Sequence, residues 1–235
     1  MTIDIAFCVP ATSNGREWKT IQETYLWDIL FNQLERKTPN NMNITVFVGF
    51  DYNDKIYSVL ENRLACDTFF EKFKIEWIGF TAEYKGKPTW IWNVLSENAF
   101  DSGFEYIKVL GDDITLPNDK DWLSAMVNKL KKNNNIGWSA GYSNNDNIAT
   151  QFLLHKTHYD IFKFIFPPQI EAWFCDNFLN EIYPDKYKNW LKTYHLLNVG
   201  GQPRYEPKND KLLCSLLIRR YKPLLTNHLR LNLLL

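Results

Sequence analysis

Phe104-Glu-Tyr-Ile-Lys-Val-Leu-Gly-Asp-Asp-Ile114 decides how this chain reads, because an apolar β-run stops there at Gly111 and two adjacent acids. Paired carboxylates at the carboxyl end of a strand lie where open α/β sheets bind ligands. Asp112 and Asp113 repel each other unless a cation sits between them. Hard divalent ions such as Mg²⁺ and Mn²⁺ take oxygen ligands and keep positions free for phosphate oxygens. The same pair also fits an ordinary turn, since Asp favours turns and helix caps. The flanking segments separate the two readings.

Upstream, strand and helix signals alternate. Ile3-Asp-Ile-Ala-Phe-Cys-Val9 is a mostly apolar run suited to a buried strand. Trp18, Ile21, Tyr25, Leu26, Ile29 and Leu30 recur at helical spacing, with Ser13 or Asn14 as caps. Ile44–Val48 predicts a second strand ended by Gly49 and Asp51, and Asp54 is placed to cap a helix running to Phe73. Lys74–Ile78 predicts a third strand, followed by a polar loop, Glu83–Lys87, and a helix from Pro88 to Gly103. Such alternation predicts one α/β domain, with a mostly parallel central sheet and helices on both faces. Its carboxyl edge gathers the loops 10–16, 51–54, 83–87 and 111–113.

The second half is less regular. Asp119 or Asp121 caps a helix ending at Lys131-Lys132, whose charges suit a helix C-terminus. Strands are expected over 136–140 and 148–155, and helices over 157–166 and 173–183, separated by Pro167-Pro168. Gly200-Gly201 opens a loop, and a leucine-rich tail follows, broken by Arg219-Arg220 and Pro223. That tail reads as a packing helix, a peripheral membrane contact or the edge of a further domain. The organisation expected is a donor-binding half at 1–115, an acceptor-binding half of the same domain at 116–206 and a tail at 207–235.

Composition removes several function classes. With 27 basic and 27 acidic residues the chain lacks the basic surplus that drives nucleic-acid binding. Four cysteines, Cys8, Cys66, Cys175 and Cys214, are scattered singly without zinc or redox spacing. No basic-then-apolar leader is visible, and no apolar run approaches the roughly 18 residues of a membrane span. Reduced thiols and a cytoplasmic location are the expectation. The nine tryptophans exceed what a core usually needs, and some are available to face a flat polar ligand such as a sugar.

The common phosphate cradles are missing. There is no Gly-x-x-x-x-Gly-Lys-Ser/Thr and no Gly-x-Gly-x-x-Gly after the first strand. A diphosphate held without a glycine-rich loop needs another counter-charge. A divalent ion at Asp112 and Asp113, helped by Arg16, Lys85 or Lys87, would supply it.

The segments Val9-Pro-Ala-Thr-Ser13, Val48-Gly-Phe-Asp51, Trp90-Ile-Trp-Asn93, Leu110-Gly-Asp-Asp-Ile114 and Trp173-Phe-Cys-Asp-Asn177 occur in an order and spacing that resembles the GT-A glycosyltransferases. Within them, the pattern is similar to the small enzymes of large DNA viruses and some protists, over about residues 3–206. The resemblance implies a Rossmann-like GT-A fold and transfer of a sugar from a nucleotide diphosphate sugar, a UDP-sugar above all, to a glycan or protein hydroxyl. It implies that Pro10, Thr12, Ser13 and Arg16 hold the nucleoside, that Asp51 touches base or ribose and that Asn93 offers a polar group to the donor. It implies that Asp112 and Asp113 bind ribose and a Mn²⁺ or Mg²⁺ ion. The family's motif is Asp-x-Asp, and here Gly111 stands in the first aspartate's place.

Four more residues follow from the resemblance. Asp176 stands where inverting members carry a general base, which takes the proton of the attacking acceptor hydroxyl; a helix-capping Asp is the other reading, and a retaining mechanism needs no such base. Trp173 is placed to stack on an acceptor sugar or to pack. Some members add a histidine to the metal, and His195 precedes the Gly200-Gly201 loop; a lone structural histidine is the other reading. Arg204 belongs to that loop and is placed to meet a diphosphate or to form a surface ion pair. A sugar-nucleotidyltransferase and a non-catalytic carbohydrate-binding protein on the same fold are the rival classes.

Overall fold

Ile5, Phe7 and Val9 point to one side of the first strand, Ala6 and Cys8 to the other, and all five are fully buried. A strand covered on both faces must lie at the centre of a sheet with layers above and below. The computed structural model, which describes residues 2–39, 41–200 and 209–232, places it there. The strands are β1 (Ile3–Ala11), β2 (Met42–Asp51), β3 (Phe73–Phe80), β4 (Tyr106–Val109), β5 (Trp138–Tyr142), β6 (Leu153–His155) and β7 (Lys188–His195). They form one seven-stranded sheet in the order β3-β2-β1-β4-β6-β5-β7. β3, β2, β1 and β4 run parallel, β6 is antiparallel to both its neighbours, and β7 is parallel to β5. This is a single α/β domain with a mostly parallel sheet of the Rossmann-like GT-A kind.

The helices are α1 (Asn32–Lys37), α2 (Leu60–Phe69), α3 (Pro88–Asp101), α4 (Trp122–Lys132), α5 (Lys156–Phe162), α6 (Cys175–Ile182) and α7 (Lys211–Asn232). The Ile5 face packs against Leu30 and Leu34, Cys66 of α2, and Leu123 and Val127 of α4. The Ala6 face packs against α3, α5, α6 and α7, through residues such as Leu95, Phe162, Leu179 and Leu217. α3 comes close because its side of the sheet is small: a Cβ at Gly49 of β2 would lie 2.5 Å from Ile91 Cγ2. No helix among the described residues is long and apolar enough to cross a membrane.

Two expectations change. The stretch 18–30 is not one helix but a 3₁₀ turn, Ile21–Glu23, then a π-helical turn, Leu26–Phe31, leading into α1. Thr24 separates them: its hydroxyl donates to Ile21 O (2.7 Å) and accepts from Trp27 N (3.3 Å), offering the backbone an alternative to the helical ladder. Asp54 caps no long helix either, because its carboxylate is consumed by the turn at Ile56 and Tyr57 and α2 starts only at Leu60. β7 escaped the sequence reading because it is a half-exposed edge strand with lysines and no alternation.

β5 and β7 meet at Gly137, where the backbone is left-handed (φ +98°) and an added Cβ would lie 1.9 Å from the carbonyl oxygen of Tyr187. Both the conformation and the clash with fixed backbone require glycine there. Gly137→Ala is expected to lower unfolding stability by about 2–4 kcal/mol, read from the urea midpoint at unchanged slope.

Candidate functional site

The chain leaves β1 toward β2 on one side, and β4 returns on the other side of β1. That reversal opens a crevice at the carboxyl ends of the two strands. Trp92 of α3 sits beneath it, its indole N–H shared between Cys8 O (3.2 Å) and Leu110 O (3.3 Å). Above lies a cavity of about 340 Å³, walled by Pro10 and Thr12, Asp51, Lys85 and Lys87, Asp113, Gln151 and Asp176, among others.

The loop after β1 is held by carboxylates. Asp54 is fully buried. It accepts from Ser13 N (2.6 Å) and Ser13 Oγ (2.7 Å), and from Ile56 N and Tyr57 N (both 2.9 Å). Asp51 accepts from Thr12 Oγ1 (3.0 Å) and Asn14 Nδ2 (2.7 Å). The loop is therefore preorganised, with Thr12, Asn14 and Asp51 on the cavity wall and Ser13 turned inward as its anchor.

Only one acid of the pair faces the cleft. Asp112 is fully buried and absent from the wall; Asp113 lines it, with Oδ1 accepting from Asn198 Nδ2 (3.2 Å). The segment after β7 crosses over the motif: Thr115 N donates to Leu197 O (2.8 Å) and Val199 N to Asp113 O (3.0 Å). A Cβ at Gly111 would lie 2.7 Å from Asp113 Oδ1, and one at Gly200 only 2.0 Å from Oδ2 and 2.4 Å from Cβ. The glycine that departs from Asp-x-Asp thus stands where a side chain would press on the remaining carboxylate.

Asp176 enters the cavity from the first turn of α6. Among the described residues nothing donates to its carboxyl, and burial pushes its pKa up to about 7. The segment before it is stitched to α3. Thr89 N donates to Glu171 O (3.3 Å), Trp90 Nε1 to Pro168 O (2.8 Å), and Lys87 pairs with Glu171 (3.4 Å).

The structure redirects several expected residues. Asn93 spends its amide on the protein, donating to Phe166 O (2.8 Å) and accepting from Ile165 N (2.8 Å) and Phe166 N (2.9 Å), so it is a stitch and not a donor ligand. Arg16 lies outside the cavity wall, donates to Gly200 O (3.0 Å) and rests on the Tyr25 ring at 5.2 Å. His195 is exposed at the end of β7 with its ring 5.0 Å from that of Tyr142, and it does not line the cavity. Trp173 is 41% exposed and also off the wall. Arg204 lies outside the described residues. Gln151 and Asn198 were not anticipated. Gln151 sits in a left-handed conformation (φ +46°), and its carbonyl accepts from the buried ammonium of Lys108, whose pKa burial lowers to about 7. No sequence signal marks a contact between a strand lysine and a loop carbonyl 43 positions away.

Among the described residues no group of three or more His, Cys, Asp or Glu is poised around a metal. The donors fit a different arrangement. A hard divalent ion needs only one or two carboxylates when substrate phosphates complete its shell, and Asp113 offers one oxygen-donor group on the wall.

No family model and no curated protein matches the sequence. Solved structures do match. S. aureus TarS 1–349 in complex with UDP-GlcNAc superposes with a TM-score of 0.56 at 14% identity, over 93% of this chain and 65% of that one. The fold resembles that of TarS. A longer TarS structure gives a TM-score of 0.55 at 13% identity and is covered over 39% of its length, so this chain spans between about two fifths and two thirds of those proteins. A cytidylyltransferase from Leptospira borgpetersenii matches with a TM-score of 0.52 at 11% identity, over 85% of this chain and 82% of that one.

Asp54→Ala would orphan three buried backbone N–H groups, those of Ser13, Ile56 and Tyr57. Its expected cost is about 3 kcal/mol or more, read as a lowered unfolding midpoint together with faster amide exchange at Ser13 and Ile56.

Proposed function

We propose that the chain is a glycosyltransferase that takes a nucleotide diphosphate sugar, a UDP-sugar foremost, and moves the sugar to an acceptor hydroxyl with inversion. The observation that carries the proposal is one cavity at the strand-order reversal that unites a preorganised β1 loop, Asp113 and a half-buried Asp176 whose pKa desolvation raises to about 7. The likeness of the fold to TarS, solved with UDP-GlcNAc, supports it.

In this reading Thr12, Asn14 and Asp51 meet the nucleoside, and Lys85 and Lys87 stand on the diphosphate side of the cavity. Asp113, with the ligand's own oxygens, would hold Mn²⁺ or Mg²⁺. Such an ion stabilises charge on a departing diphosphate as a Lewis acid. Asp176 takes the proton of the acceptor hydroxyl as that oxygen bonds to the anomeric carbon, while the bond from that carbon to the diphosphate breaks and its electron pair leaves with the nucleotide. A carboxylate with a pKa about 7 is well matched to this task, since a base poised near ambient pH removes a proton most effectively. The match to a cytidylyltransferase over most of both chains keeps a nucleotidyl transfer as the second reading. Release of pyrophosphate in place of nucleoside diphosphate would select it.

UDP with Mn²⁺ at about 100 times its dissociation constant should add about 2.7 kcal/mol of stability, a rise in Tm of roughly 5–10 °C. Asp113→Ala should abolish that shift; no shift for wild type with any nucleotide would remove the donor site. For Asp176 the sign of the pH effects is fixed by its raised pKa. As a base it works ionised, so turnover should climb with pH and level off above about 7, and Asp176→Asn should lose at least about a hundredfold. The folded state holds this proton to higher pH than the unfolded chain, so stability falls as pH rises from the ordinary carboxylate range to about 7. Asp176→Asn should therefore melt higher than wild type at pH 8 and alike at pH 4. Activity near wild type in that variant would remove Asp176 as the base.

A further inference from the structure

α7 carries Lys211, Arg219, Arg220, Lys222 and Arg230 and no acidic residue, in a chain whose basic and acidic residues balance at 27 each. All of these cations are exposed. The inner side of α7 is spoken for: Cys214, Leu217, Ile218 and Leu225 are buried in the core against α5 and α6. The outer side is not polar. Leu212 is 75% exposed, Leu216 52%, Leu224 44% and Leu231 67%. At about 3.6 residues per turn, Leu212, Leu216 and Pro223 form a stripe opposite Cys214 and Leu225, edged by Leu224 and Leu231. Arg219, Arg220 and Arg230 are interleaved with that stripe.

We propose that the outer face of α7 docks on an anionic lipid surface, lying in the plane of the headgroups. Such a surface offers an apolar depth for the leucines and dense negative charge for the arginines, which bury their stems while keeping the guanidinium in the headgroup layer. Other occupants fit less well. A second copy meeting through a two-fold axis would lay this cationic face against itself. A nucleic acid would answer the charge and leave the leucines in water. Among the described residues no helix is long and apolar enough to cross a membrane, and the contact proposed lies in the plane of the headgroups.

The test is flotation of the full chain with phosphatidylcholine vesicles and with vesicles containing phosphatidylglycerol, at low and high salt. Wild type should float with the anionic vesicles only, and high salt should release it. Arg219→Glu combined with Arg220→Glu, and Leu212→Glu combined with Leu216→Glu, should each lower the bound fraction about tenfold or more. All four positions face solvent, so an unchanged Tm will show that both variants remain folded. Failure of wild type to float, or variants that float as wild type does, would overturn the proposal. So would a wild-type dimer in size-exclusion chromatography that Leu212→Glu with Leu216→Glu dissociates.

Discussion

A single indole N–H, that of Trp92, ties Cys8 O to Leu110 O at the point where β1 and β4 part. Parallel pairing between the two strands runs from Ile5 with Tyr106 to Cys8 with Val109 and then ends. Leu110 N still donates to Cys8 O (3.3 Å), but the carbonyl of Leu110 turns toward the crevice, and an unsatisfied buried carbonyl is costly. Trp92 answers the Leu110 carbonyl from below, adds a second donor to Cys8 O and so becomes the floor of the cavity. It reaches them because α3 presses close on Ala6 and Cys8 of β1 and on Gly49 of β2, none of which carries bulk on that face. The small residues, the helix approach, the satisfied carbonyls and the cleft are therefore one arrangement.

Three aspartates around this cleft show how environment divides one chemistry among several tasks. Asp54 is sealed and surrounded by donors, which makes it a structural anchor of the β1 loop. Asp113 is anchored by Asn198 and crowded by glycines, so its carboxylate keeps one direction, into the cavity. Asp176 is half-buried and desolvated, with no donor to its carboxyl among the described residues, and that combination favours its protonated form. Mutual positions matter as much: the 165–171 segment that leads to Asp176 is hydrogen-bonded to Thr89, Trp90 and Asn93 of α3, the helix that carries Trp92.

The first half of the fold was legible because each of its signals is local. A mostly apolar run such as Ile3–Val9 must be buried, and Pro88 and Gly103 bracket a helix whatever lies around it. The acidic motif, the β1 loop and Asp176 were legible in the same way, as residue types at the ends of recognisable elements. The second half resisted. β6 has only three residues and runs against its neighbours, and β7 is stabilised by pairing with β5 and not by its own pattern. The residue roles that changed, Asn93, Arg16 and His195, are polar groups whose partners lie far along the chain, at Phe166, Gly200 and Tyr142.

By itself, then, the sequence determined the layered α/β architecture and the edge on which ligands gather, because hydrophobic period and turn chemistry act over a few neighbouring residues. Tertiary structure decided which polar side chains face the cavity and which are consumed holding it together. A hydroxyl or carboxylate is neutral as to use until its donors are placed. Ser13 and Thr12 are adjacent, yet one is sealed against Asp54 and the other lines the wall. Asp112 and Asp113 are likewise adjacent, and only the second faces the cleft. Backbone direction at the end of a strand turns successive side chains to opposite sides, and the packing of α3 and the segment after β7 fixes which side is the cleft.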